Sequence, residues 1–420
     1  MKVLITGIDG YTGWPLALHL LGRGHEVAGI DNFITRRRVQ EVGSWSATPI
    51  PSFPRRLEAV NEVLGKSISF HKGDVTNYAF VQQVLTAERP EAIVHLGEQR
   101  SAPYSMIDVH HAVQTQTDNI EGTLNLLYAM RDVVPEAHLV KMGTMGEYGT
   151  PNIDIAEGFF DVEYRGRRDS HLPFPRQAGS WYHWSKVHDS GNVMFAVRVF
   201  QLRATDVMQG VVYGIRTPEM TDDRLRTRFD FDDVWGTALN RFVVQAILGL
   251  PITPYGRGGQ TRGYIALEDS MQSLRLSVEN PVARGDYRVL NQFDEAYSVN
   301  QLAEMVKEVA EEFNLHPTIE HVPNPRVEAE DHYYHPIHDK LAEMGYKRSR
   351  ELRDVMRELF RELRRHRRRL EAKRGSVLPA VNWRQAADPT SLRTRSDKEP
   401  TAPTPPTGPT ATDTPTSPVP

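Results

Sequence analysis

Residues 2–13 read KVLITGIDGYTG. An apolar run, Lys2–Thr6, leads directly into Gly7, Gly10 and Gly13, and then into a segment with Leu16, Ala17, Leu20 and Leu21 on one helical face. A buried strand, a glycine turn and a helix N-terminus are the parts of a dinucleotide-binding unit. The glycines permit a tight turn and let a pyrophosphate come close to the helix N-terminus, where free N–H groups favour negative charge. Pro15 suits a first helical turn, because its missing N–H has no partner to lose there. Gly22 and Gly24 stand where a C-terminal cap is wanted. Further strands are expected at Glu26–Asp31, Ser67–Gly73, Ala92–Gly97 and His138–Gly143, with helical periodicity between most of them. That alternation predicts an α/β chain with a Rossmann-type doubly wound parallel sheet.

Asp31 ends the second strand, where a carboxylate can accept hydrogen bonds from an adenosine ribose and would repel a 2′-phosphate. Arg36, Arg37 and Arg38 point the other way, since arginines after this strand can hold that phosphate; the balance favours NAD. The residues expected around the cofactor are therefore Gly7, Gly10, Tyr11, Thr12, Gly13, Asp31, Asn32 and Arg36. The crossover from Asp31 to Lys66 is long and contains ATPIPSFPRR, too rich in proline for one helix, so a loop excursion over the sheet is expected.

A chain of 420 residues can hold one large α/β domain with a smaller satellite. The expected division is a mainly NAD-binding part over 1–207 and a mainly substrate-binding part over 208–386, with the chain crossing between them. Residues 387–420 form a Pro/Thr-rich tail with almost nothing to bury, and disorder is expected there. A net charge of −4 gives no reason to expect nucleic acid. With no cysteine, disulfides, thiolate catalysis and Cys-ligated metal are excluded. No apolar run is long enough to cross a bilayer, and MKVLITG reads as a strand rather than a signal peptide, so a cytoplasmic location is expected. Late in the chain, Leu352, Val355, Met356, Leu359, Phe360 and Leu363 mark one helix face. Its other faces are dense in arginine, through RELRRHRRRLEAKR, and read either as solvated Glu/Arg pairs or as a docking surface for an anionic membrane or protein.

Residues 180–189, SWYHWSKVHD, supply Tyr182 and Lys186, four apart and so on one helix face. A free tyrosine has a pKa near ~10 and is a poor base at neutral pH. A nearby ammonium and a positive nicotinamide ring stabilise the phenolate. Tyr182 can then take a proton from a sugar hydroxyl while hydride leaves the same carbon. Thr144, at the end of the fifth strand, would orient that hydroxyl. His110-His111 and DHYYHPIH at 331–338 lack convincing ligand spacing, and no metal is expected.

The spacing G-x-x-G-x-x-G, Asp74-Val75 after the third strand, Leu96-Gly97 after the fourth and NIEGT at 119–123 resemble the extended short-chain dehydrogenases/reductases. The resemblance implies adenine contacts by Asp74 and Val75. It adds Leu96, Gly97, Asn119, Val212, Tyr182 and Lys186 to the cofactor set, Lys186 through the nicotinamide ribose. The loop GEQRSAPYSMID (97–108) departs from that family's alanine-rich pattern. With TMGEYGTPNIDI (144–155), ATDVMQGVVYG, WGTALNRF, YGRGGQTRGYIALED and VPNPRVEAEDHYYH, it closely resembles one branch, the UDP-sulfoquinovose synthase family, over roughly residues 1–385.

That likeness implies UDP-glucose and sulfite as substrates and UDP-6-sulfo-6-deoxyglucose as product. Oxidation at C4 makes the C5 proton acidic, the C6 hydroxyl leaves, sulfite adds at C6 and hydride returns to C4. A 4,6-dehydratase follows its threonine with two acids; here Met145 and Gly146 follow, which leaves room for an anionic nucleophile. Glu147 and His183 are the candidates for C5 deprotonation and C6 hydroxyl protonation, although each could equally be a solvated residue. Expected substrate contacts are Arg100, Met145, Gln209, Thr237, Asn240, Arg241, Gln260, Arg262 and Arg326, with Glu328 and Glu330 ordering nearby arginines. The resemblance also implies a homodimer formed through the helix bearing Tyr182. Free sulfite and a sulfite-channelling protein both stand as the sulfur source. The rival readings are a UDP-sugar 4-epimerase or 4,6-dehydratase, and a non-catalytic NAD-binding scaffold.

Overall fold

The computed structural model describes residues 1–384; the tail expected to be disordered lies outside the described residues. In chain order the strands are β1 (Lys2–Thr6), β2 (Glu26–Asp31), β3 (Ile68–Lys72), β4 (Ala92–His95), β5 (His138–Thr144), β6 (Phe159–Tyr164), β7 (Arg167–Pro173), β8 (Arg203–Gln209), β9 (Val211–Tyr213), β10 (Thr261–Ala266), β11 (Tyr287–Gln292) and β12 (Glu295–Ser298). Seven form the central sheet in the order β11-β8-β5-β4-β1-β2-β3, and every neighbouring pair is parallel. The strand order reverses between β1 and β4, so a crevice opens at their carboxyl ends, beside Gly7 and Gly97. Helices 13–22 and 267–279 bury apolar faces against one side of the sheet, and helices 78–88, 122–133 and 181–200 against the other.

The crossover after Asp31 is not one helix, and its second half packs on the sheet through Phe53, Ala59 and Val60. Its two helices, Ile34–Glu41 and Phe53–Leu64, are joined by a mostly buried strap. Proline at 49 and 51 denies that strap a helix, and its polar groups find partners in the second half of the chain. Ala47 N donates to Phe229 O at 2.8 Å, and Phe229 N donates to Ser46 Oγ at 2.9 Å.

The second half builds β12-β10-β9 and packs it with helices 238–248, 299–311 and 352–364 around Phe242, Val306 and Phe360. All six apolar positions expected on the last of these are buried. Its arginines meet acids, Arg353 with Glu308 at 2.6 Å and Arg357 with Glu312 at 2.8 Å; this is the solvated-pair arrangement, in which each pair adds little stability. The chain crosses back after residue 208, since β8 ends at Gln209 and β11 closes the edge of the central sheet. The polar segment after the fifth strand forms a hairpin, β6–β7, with most of its residues exposed.

Candidate active site

The first turn is shaped for a close approach. Gly7 has φ 73°, and a Cβ there would lie 2.6 Å from Leu96 O; a Cβ at Gly13 would overlap Gly7 O. Thr12 caps helix 13–22 without a side-chain hydrogen bond; Trp14 N donates to Gly10 O at 3.2 Å, so the turn closes on itself at the start of the helix. The cavity beside this turn is lined by Gly7, Gly10, Asp31, Asn32, Asp74, Val75, Leu96, Gly97 and Arg100, among others. Asp31 accepts from Asp9 N at 2.8 Å and from Phe33 N at 2.7 Å. Burial, reinforced by the Asp9 carboxylate, lifts its pKa to about 6. Arg36 is engaged by Asp9 through Nε at 2.6 Å and Nη2 at 2.7 Å, and Arg38 by Asp118 at 2.5 Å. Each is thus tied to a carboxylate of the protein. The glycine turn, with no room for a Cβ at Gly7 or Gly13, and the ribose-side carboxylate of Asp31 together fit NAD.

Eight residues expected at the cofactor do not line this cavity: Tyr11, Thr12, Gly13, Arg36, Asn119, Tyr182, Lys186 and Val212. Tyr11 Oη donates to Gly214 O at 2.7 Å. Thr12 is the helix cap, and Gly13 permits the turn. Val212 is buried in the core. Asn119 holds the loop after β4, accepting from Gln99 N at 2.7 Å and donating to Ser185 Oγ at 2.8 Å. Arg36, fixed on Asp9, likewise lies outside the lining.

A second cavity of about 420 Å³ adjoins the first and shares Arg100 with it. Thr144, Met145, Gly146, Tyr182 and His183 line it, together with Gln209, Thr237, Arg241, Gln260, Arg262 and Arg326. Asn240 does not; its Nδ2 donates to Asp230 O at 2.9 Å. Glu328 orders Arg262 at 2.6 Å, whereas Glu330 accepts from Arg257 N at 2.6 Å and Gln260 Nε2 at 3.3 Å. Arg100 pairs with Asp230. Burial lowers the Arg241 guanidinium to about 9.

Burial pushes the Tyr182 phenol up to about 12, and Glu147 adds to this, while Lys141, Arg100 and the Thr144 hydroxyl pull it down. Lys186 was expected beside the phenol as its activating charge. In this structure its Nζ donates to Met142 O at 2.7 Å and pairs with Glu98. Burial lowers Lys186 to about 8. Glu98, buried and lining the cofactor cavity, is a residue that sequence reasoning missed. The signal was present in GEQ, where an alanine is the expected pattern.

Glu147 closes the side chain of its own turn back onto the strand end. Thr144 N donates to Glu147 Oε1, and Gly146 N to Thr144 Oγ1, both at 3.2 Å. The carboxylate is fully buried and absent from the cleft lining, with its pKa raised chiefly by burial. Behind it lie Lys141, Ser190 and Asp206. Ser190 Oγ is 2.9 Å from Glu147 Oε2, 2.6 Å from Asp206 Oδ2 and 2.8 Å from Lys141 Nζ. Lysine inside the apolar run LVKMGT was the unread sign of this cluster.

His183 faces the cleft over Gly146. Its ring bonds Ser180 Oγ through Nδ1 at 3.0 Å, and burial, with Arg326 and Arg262 nearby, pushes its pKa down to about 3. A Cβ on Gly146 would come within 2.5 Å of His183 Nε2. The residue expected to make room for a nucleophile therefore makes room for the imidazole. Gly146→Ala is expected to displace that ring and cut turnover about tenfold or more, as small misplacements of a reacting group do. Its thermal unfolding should move little, and equal turnover in the variant would refute this placement. Among the described residues no group of three or more His, Asp or Glu is placed to hold a metal. His111 is tied to Asp108 at 2.6 Å and His335 to Asp154 at 3.1 Å.

The doubly wound sheet, the glycine turn, and the strand-end threonine with its helical tyrosine and lysine define a class of nucleotide-dependent enzyme. Residues 3–291 match the NAD dependent epimerase/dehydratase family, and the chain belongs to it, with NAD as cofactor. It is 50 % identical over 386 residues to UDP-sulfoquinovose synthase of Sulfolobus acidocaldarius, covering 92 % of this chain and 98 % of that one. It is 46 % identical over 394 residues to the chloroplastic UDP-sulfoquinovose synthase of Spinacia oleracea, covering 93 % and 81 %. Within the broader family, its branch is the UDP-sulfoquinovose synthases. A solved UDP-glucuronic acid 4-epimerase from Bacillus cereus, in complex with UDP-glucuronic acid and NAD, shares the fold. Its TM-score is 0.65 at 20 % identity, over 87 % of this chain and 99 % of that one.

Proposed function

We propose that the protein makes UDP-6-sulfo-6-deoxyglucose from UDP-glucose and sulfite. The observation that carries this reading is the floor of the cleft: Met145 and Gly146 occupy it, while the first carboxylate after Thr144 is turned away into the buried cluster. A cleft with arginines at 100, 241, 262 and 326 attracts both a diphosphate and a small anion. Held by the turn at Gly7 and Gly10 and by Asp31, NAD would supply the hydride acceptor for C4 and, once reduced, the donor for the closing step. Tyr182 takes the proton of the C4 hydroxyl, and Thr144 orients that hydroxyl. His183, the imidazole that lines the cleft, moves protons at C5 and C6. Glu147 acts by fixing Thr144 rather than by touching the sugar. Lys186 holds the nicotinamide ribose.

Purified protein given UDP-glucose and radiolabelled sulfite should place the label in a nucleotide sugar. UDP-galactose, or a stable 4-keto sugar without label, would instead favour the epimerase or dehydratase reading.

The assembly is a homodimer in this reading. Val109, Val113, Tyr128, Trp181, Phe195 and Val199 leave an exposed apolar face on helices that include the one bearing Tyr182, a patch of the kind that marks an interaction surface. No helix of the described residues is long and apolar enough to cross a membrane, and the cysteine-free composition suits a reducing, cytoplasmic compartment. Sulfite reaches the cleft free or from a channelling partner.

A further inference from the structure

The run RELRRHRRRLEAKR, residues 361–374, lines neither of the two cavities. It carries eight lysines and arginines against two glutamates, in a chain whose net charge is −4. Leu363 and Leu370 are buried in the core that also holds Phe242 and Phe360, so the run is fixed to the fold. Arg361, Arg364, Arg365, Arg367 and Arg368 are exposed.

The pairing seen at Arg353 and Arg357 does not carry on through these five. Glu362 is buried and already meets Arg226, also buried, at 2.6 Å. Arg365 reaches Glu362 only at 3.6 Å and is 71 % exposed. Arg361 acts on Glu312 at a distance, but Arg357 grips that carboxylate through Nε and Nη2, each at 2.8 Å. Glu371 pairs with Arg374 at 3.1 Å. Arg364 lies 5.7 Å from the Phe313 ring. Among the described residues, Arg367 and Arg368 meet no acid in an ion pair. Arg369 and Lys373 are used elsewhere, over the Trp45 ring at 4.7 and 4.6 Å.

Cations in the last turn of helix 352–364 gain from its dipole, which accounts for Arg361 and Arg364. Arg367 and Arg368 open the next helix, Arg367–Glu371, where that effect has the opposite sign. Local stability therefore does not account for the set, whose like charges repel one another. The surface also lacks an apolar anchor, since the exposed large apolar side chains of the described residues all lie before residue 338. A protein partner is held by buried aromatic and apolar anchors, and single-stranded nucleic acid by aromatic stacking. Clustered charge without either fits the phosphates of an anionic lipid surface, to which arginine adds bidentate hydrogen bonds.

We propose that Arg361, Arg364, Arg365, Arg367 and Arg368 form a docking surface for an anionic membrane. The protein binds there by charge alone and without insertion, so its binding is reversible and salt-sensitive.

The test is co-sedimentation of the full chain with vesicles of phosphatidylcholine, alone or with about one third phosphatidylglycerol. At about 0.05 M salt the wild type should bind the anionic vesicles and not the neutral ones, and at about 0.5 M it should be released. Arg364→Gln, Arg365→Gln, Arg367→Gln and Arg368→Gln together should weaken binding about a hundredfold or more. Turnover and thermal unfolding should not change. Arg→Lys at the same four positions keeps the charge and should keep most of the binding. Equal binding to neutral vesicles, no binding at low salt, or undiminished binding by the glutamine variant would each overturn the proposal. Capture by RNA at the same salt, with none by vesicles, would mean a nucleic-acid surface and would overturn it as well.

Discussion

Tyr182→Phe should lose turnover by about 10²- to 10⁴-fold, the range associated with removing a positioned proton-transfer group. The substitution deletes one oxygen and little else. Tyr182 N donates to Ser105 Oγ at 3.1 Å, at the start of helix 181–200, whose cap is Ser180. UDP-glucose affinity and thermal unfolding should therefore stay near the wild-type values. Burial holds the phenol at about 12, so its use as a base depends on positive charge placed beside it by the reactants. A variant with undiminished turnover would favour a non-catalytic scaffold or a different base.

Lys141→Met should be the most damaging change to stability among the buried polar residues described above. The lysine is fully buried, 3.5 Å from Glu147 Oε1 and 3.4 Å from Asp206 Oδ1, both also fully buried. Burial alone would lower its pKa, yet the two carboxylates hold it above the usual lysine value. Removing the cation leaves acids that cannot all stay ionised, and breaking one partner out of a buried pair costs about 3–5 kcal/mol. Because a serine has one hydroxyl proton, Ser190 can satisfy only one of the two carboxylates it touches. Adding Glu147→Gln should recover part of the loss, because it removes one of the stranded charges. Denaturant unfolding measures both variants; a single variant as stable as wild type would show that the cluster does not depend on the ammonium. Since Glu147 also fixes Thr144, turnover should fall with stability in Lys141→Met.

The parallel sheet was readable because each of its first five strands is a short apolar run bounded by turn residues, and the glycine turn fixed where the first helix begins. The expected strands at 67–73 and 92–97 shorten to Ile68–Lys72 and Ala92–His95, a matter of where ladder hydrogen bonds stop. The strap at 42–52 was legible only as something other than a helix, because its partners, such as Phe229, lie far away in sequence. The same limit applies to the site. Thr144, Tyr182 and Lys186 announce themselves by position on one strand end and one helix. The partners that set their charge, Glu98, Lys141 and Asp206, are brought in by tertiary packing. Asn240 illustrates the converse, a polar residue in a promising motif whose amide is used inside the fold.

The central claim is that hydride leaves C4 of the sugar and returns to C4 of the same molecule after carbon six has changed substituent. Turnover of UDP-glucose carrying deuterium at C4, with sulfite present and the product read by mass spectrometry and NMR, tests this directly. The account predicts that the sulfonated product keeps the deuterium at C4. Deuterium found at C6, as a 4,6-dehydratase would leave it, or lost to solvent, would contradict it.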